Sequence, residues 1–90
     1  MLVLPAILTM EQAGTCVRML GMGLQAQPGT AVVADAGSLV QFDSSALAVL
    51  LECRREALAL GKSFSVKDMP ERLRRLASVY GVAELLPASA

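Results

Sequence analysis

The sequence predicts an α/β fold: a small, mostly parallel sheet of about four strands with helices packed on it. Three observations carry this expectation. Stretches that read as strands alternate with stretches of helical spacing along the whole chain. The run Thr30-Ala31-Val32-Val33-Ala34-Asp35 is β-branched and continuous, as in a central strand covered on both faces. Each of the three helical patterns is closed by a turn signal, at Pro28-Gly29, Gly61 and Gly81. Such alternation calls for right-handed crossovers and for helices over at least one face of the sheet. At 90 residues, the chain is read as one domain over 1–90 with no internal repeat.

Leu2-Val3-Leu4-Pro5-Ala6-Ile7-Leu8 reads as a short strand that Pro5 confines to an edge or a bend. Thr9 can cap a helix over Met10 to Gln27, whose apolar residues are Ala13, Cys16, Val17, Leu20 and Leu24. Gly14, Gly21 and Gly23 weaken it, each by up to ~1 kcal/mol relative to Ala. After the central strand, Leu39 to Phe42 can lay a short apolar segment on the core. A second helix follows from about Ser44 to Leu60, with Leu47, Leu50, Leu51 and Leu58 on one face and Glu52, Arg55 and Glu56 on the other. Lys62 to Lys67 alternates, with Phe64 and Val66 to one side. Asp68-Met69-Pro70-Glu71 supplies a cap residue, a proline in the first turn and a carboxylate that can reach back. Leu73, Leu76, Ala77 and Tyr80 form the stripe of the third helix, and the tail Val82 to Pro87 is apolar enough to pack back.

Composition narrows the function classes. Hydrophobic residues make up 54% and charged residues 18% of the chain, which argues against disorder and for some apolar surface in an interface. Residues 1–42 carry only Glu11, Arg18 and Asp35, and Met10, Met19 and Met22 in this charge-poor region are candidates for an apolar contact surface as well as for core. Eight basic residues balance eight acidic ones, so no overall field draws the chain to nucleic acid; Arg54, Arg55, Arg72, Arg74 and Arg75 read as solvated helix faces. The apolar runs fall short of the ~20 residues that a membrane-spanning helix needs, and no basic stretch precedes them as in a signal peptide. Cys16 and Cys53 are therefore read as reduced, buried thiols. The chain has no His, carboxylates are scattered, and no phosphate-binding loop is present, so an enzyme, a metal site and a cofactor are all poor expectations.

Phe42-Asp43-Ser44-Ser45-Ala46-Leu47 is where an extended segment passes into a helix. Asp and Ser oxygens there can accept hydrogen bonds from the first-turn amides, and the positive helix end tolerates an added anion. The strand at Val32-Val33, the loop Asp43-Ser44-Ser45 before a Leu-rich helix, a further strand and a last helix together resemble the STAS domain family. Leu76-Ala77-x-x-Tyr80 followed by Leu86-Pro87 is most similar to its MlaB-type members, the accessory subunits of a phospholipid-transport ABC complex. Ala46 and Ala6 stand where that family usually has Gly, and the first strand of the family's sheet is expected to be short or missing.

The resemblance implies a cytoplasmic, non-enzymatic subunit, peripheral to the inner membrane, that binds the transporter's ATPase and supports the maintenance of outer-membrane lipid asymmetry. It implies that the hydroxyl of the contact surface falls on Ser44. With it, Asp43, Ser45, Leu47 and Tyr80 form the expected partner-binding set, flanked by Leu85 and Leu86. Self-association of the isolated chain is an open possibility. In the family's anti-sigma factor antagonists the phosphorylated hydroxyl falls on Ser45, which gives the alternative: a switch in which added charge breaks a complex. A phosphate there would gain from the helix N-terminus and be repelled by Asp43.

Overall fold

Pro5 breaks the first apolar stretch in two. In the computed structural model, which describes residues 1–89, the expected single strand is a pair of two-residue strands, β1 (Leu2–Val3) and β2 (Ile7–Leu8), in different sheets. The proline ring fixes φ and offers no N–H to a ladder, so the chain bends there and changes partner. The other elements are α1 (Met10–Ala26), β3 (Ala31–Asp35), β4 (Gln41–Phe42), α2 (Ser45–Ala59), β5 (Ser63–Lys67) and α3 (Glu71–Val79), followed by a short 3-10 turn over Ala83–Leu85.

The main sheet has the order β1-β3-β5 and is parallel throughout, which makes β3 central. Its register sets Leu2 beside Ala34, Val32 beside Phe64 and Ala34 beside Val66. These five side chains share one face and are all buried. On the other face Val3, Ala31, Ser63 and Lys67 are exposed and Val33 is half-buried. The expectation that β3 is covered on both faces is thus corrected: the helices lie on one side, and the continuous run in β3 does not report two covers. β2 and β4 form a separate parallel pair, anchored by the Val40 and Gln41 amides donating to the Ala6 carbonyl at 2.8 and 3.0 Å. At the outer edge of β5 the tail pairs in parallel through Ala88: the Val66 amide donates to the Pro87 carbonyl and the Ser89 amide to the Val66 carbonyl, both at 2.8 Å. The tail therefore does pack back and occupies the place of a fourth strand.

α1 starts where its cap residue indicated. The Thr9 amide and hydroxyl both donate to Gln12 Oε1, at 2.9 and 2.7 Å, which closes the first turn through the third helical residue. Cys16, Leu20 and Leu24 face the core, while Met10, Met19 and Met22 are on the surface. α2 carries two overlapping apolar stripes. The core takes the one through Ala46, Leu47, Val49, Leu50, Cys53 and Ala57, whose small residues let α1 and the sheet approach closely. Leu58, expected on the buried face, is exposed, and Glu56, expected on the wet face, is half-buried with its Oε2 sealed and without a partner.

The start of α3 also differs from its sequence signature. Asp68 sits at φ 54° two residues before Pro70, in the left-handed region that short polar residues tolerate, and caps nothing. The Glu71 carboxylate faces forward to Arg74 and Arg75 at 3.9 and 3.6 Å instead of reaching back. Leu73 and Ala77 are buried and Leu76 is half-buried, but Tyr80, placed on the same stripe by spacing, is exposed. The chain turns away at Gly81 (φ 73°), where a left-handed residue ends the helix.

Candidate partner-binding groove

The Asp43 side chain organises the mouth of α2. Its Oδ1 accepts the Ser45 amide at 2.8 Å and its Oδ2 accepts the Met10 amide at 3.2 Å, so one carboxylate caps two helices. The Ser45 amide above all, with the Met10 amide behind it, holds the Asp43 carboxyl below the ordinary carboxylate range. Because Asp43 does the capping, Ser44 does not need to. Ser44 adopts helical dihedrals, its carbonyl takes the Leu47 amide at 3.1 Å, and its exposed hydroxyl makes no cap hydrogen bond.

The free hydroxyl stands at one end of a groove of about 280 Å³ lined by Ser44, Leu47, Ala48 and Leu51 of α2 and by Tyr80 and Val82 beyond α3. Leu47 is buried, so it forms the floor; Tyr80, 59% exposed, forms a wall. Two contacts shape α3 and the turn after it beside the groove. The Arg72 guanidinium lies 4.7 Å from the centre of the Phe42 ring, a cation–π contact one residue before Asp43. The Val82 amide donates to the Ala77 carbonyl at 3.0 Å and folds the post-helix turn back onto α3.

Of the expected set, then, Ser44, Leu47 and Tyr80 come together in the groove and Asp43 braces it. Ser45 is half-buried and lies outside the lining. Leu85 is partly exposed but does not line the groove, and Leu86 is 5% exposed, in the core, and so does not flank it. Sequence reasoning missed Ala48 and Leu51, although they stand four and seven residues beyond Ser44, the spacing of one helix face. Val82 carried no such signal, because its place depends on the turn at Gly81.

The groove thus sets the Ser44 hydroxyl and the Tyr80 phenol beside an apolar floor. Among the described residues no three Cys, Asp or Glu side chains gather as metal ligands, and no helix is long and apolar enough to cross a membrane. A family model described as "Mlab, STAS domain" matches residues 7–87. The chain belongs to the STAS family, MlaB type. No curated protein sequence matches it. In this STAS domain the two Ala-for-Gly positions have different settings. Ala46 is 0% exposed and directs its methyl group inward, away from the groove, so the extra carbon there does not obstruct a visitor. Ala6 is exposed and serves β4 through its carbonyl.

Proposed function

We propose that the chain is a non-enzymatic, cofactor-free accessory subunit that docks on the cytosolic ATPase of a phospholipid-transport ABC complex, through the groove at the mouth of α2. The observation that carries this reading is the Ser44 hydroxyl: exposed, unused by its own helix, and set beside Leu47, Leu51 and Tyr80. A hydrogen-bonding centre in an apolar surround that excludes water is the arrangement that gives protein interfaces their strongest contacts. The MlaB-type description of the matching family supports the choice of partner. In this reading the chain acts in the cytoplasm, reaches the membrane only through the complex and touches no nucleic acid.

Co-purification tests it. The tagged chain is co-expressed with the candidate ATPase; Ser44→Arg, which fills the groove with a charged side chain, abolishes recovery of the ATPase, and Tyr80→Ala reduces it. Equal recovery with Ser44→Arg and wild type overturns the proposal. The phosphorylation switch at Ser45 is the weaker reading, because a phosphate there would stand against the Asp43 carboxylate that already holds the Ser45 amide. A single-phosphate mass shift that vanishes in Ser45→Ala would reverse that order.

A further inference from the structure

The outward face of α1 is unlike the other helix surfaces. At 100° per residue, Glu11, Arg18 and Met22 fall within about 40° of one another at its centre, with Gly14 and Thr15 on either side between the two charges. Met19 and Met22 are exposed, and shallow grooves of about 500 and 460 Å³ run along the two sides of this ridge. Glu11 and Arg18 form no ion pair within the described chain; the Arg18 guanidinium donates only to the Thr15 hydroxyl, at 3.3 Å, one turn back on the same helix.

Gly14 is the second, independent observation. It lies mid-helix, where glycine weakens the element. Nothing inside the chain asks for it: a methyl group added there meets only Arg18 Nη1, at 3.8 Å, an ordinary contact. By contrast, Gly21 and Gly23 face atoms at 3.0 and 3.1 Å. What the missing side chain at Gly14 does permit is close approach from outside.

We infer that α1 is a self-association surface on which a second copy of this chain packs antiparallel about a two-fold axis between Gly14 and Thr15. The occupant follows from charge complementarity. In a two-fold antiparallel pair centred there, positions whose numbers sum to 29 are opposite, so Glu11 faces Arg18 of the second copy and Arg18 faces its Glu11. Gly14 faces Thr15 of the second copy and Thr15 faces its Gly14, so a missing side chain meets a short one and lets the backbones close, and Met22 extends over the second copy's first turn toward the exposed Ile7. A charge-poor, methionine-rich surface loses little on being dried. The Ser44 groove takes no part, so this contact and the proposed docking are separable. One helix pair buries a modest area, which places the contact among weak, transient associations.

Sedimentation equilibrium of the purified chain, from low micromolar to near-millimolar concentration, tests it, with circular dichroism to verify folding of each variant. Wild type forms dimers. Glu11→Arg and Arg18→Glu each place like charges opposite one another twice and raise the dimer Kd at least about tenfold; the double reversal restores association. Gly14→Leu, exposed and therefore tolerated by the fold, leaves a monomer. A chain that stays monomeric throughout, a dimer indifferent to Gly14→Leu, or single reversals that the double variant fails to rescue would each overturn the inference. Loss of ATPase binding in Ser44→Arg with the dimer intact bears only on the docking proposal.

Discussion

The Asp43 carboxylate bridges the Met10 amide and the Ser45 amide, at 3.2 and 2.8 Å, and so ties the first turns of α1 and α2 to one side chain. Residues 33 positions apart are thereby joined at the place where the candidate groove begins. The pin engages both oxygens of Asp43 and leaves the Ser44 hydroxyl free of the cap.

Asp43 should govern acid sensitivity. Its carboxyl ionises below its ordinary value of 3.8, so its contribution is complete above that pH and is lost as pH falls through the lower folded value. Urea midpoints measured from pH 6 down to pH 2.5 should fall more steeply for wild type than for Asp43→Asn. At pH 6 Asp43→Ala should be less stable than wild type. Parallel curves for wild type and Asp43→Asn would show that the ionised carboxylate is not what holds the two amides.

Ser44 and Ser45 should behave as opposites although they are adjacent. Ser44→Arg, on an exposed hydroxyl with no internal partner, should leave stability within about 0.5 kcal/mol of wild type. Ser45→Arg pushes a long charged side chain into a half-buried site beside the Asp43 pin and should cost about 1 to 3 kcal/mol. Thermal melts of the two variants decide the matter, and equal losses would mean that Ser44 is part of the fold and not of a surface.

The thiols should be silent in the native state. Burial raises the Cys16 thiol, and burial, helped by the charges of Cys16, Glu56 and Glu52, pushes Cys53 up to about 12. A thiol-reactive chromophore at pH 8 should label neither until denaturant is added, then both. Because these folded-state values lie above the ordinary 9.0, stability should be level below pH 9 and decline as pH rises toward the folded values. Prompt labelling of native Cys53 would show that the interface of α1 and α2 opens readily.

Glu56 is the one described side chain with a sealed, unpartnered oxygen, and that oxygen lies 3.0 Å from where a Gly21 methyl group would stand. Glu56→Met keeps the length of the side chain and removes the unsatisfied group, and it should stabilise the chain by about 1 kcal/mol. Gly21→Val should destabilise it, since the branched side chain must displace the carboxylate. A lower melting temperature for Glu56→Met would mean that the carboxylate is solvated or paired in solution.

Several features were legible because short-range chemistry decides them. The cap at Thr9, the termination at Gly61 and Gly81, the alternation in β5 and the bend at Pro5 each depend on residues within one turn of one another. The groove was half legible: Ser44, Leu47 and Tyr80 were on the expected list, Leu86, expected to flank it, is in the core, and Ala48, Leu51 and Val82 were not expected to line it. Spacing alone put Tyr80 on the buried stripe of α3, and only the turn at Gly81, with the tail folding back onto β5, leaves it outside.

The sequence by itself determined the alternation of three helices with strands, the parallel α/β class and the position of the hydroxyl loop at a helix start, because hydrophobic period and turn chemistry act locally. Tertiary structure alone decided which of the two stripes of α2 enters the core, which face of the sheet stays bare, and which residue of Asp43, Ser44 and Ser45 is spent on the fold. Those choices depend on how closely α1 can approach α2 and on where the Met10 amide comes to rest, distances set by packing between segments far apart in the chain.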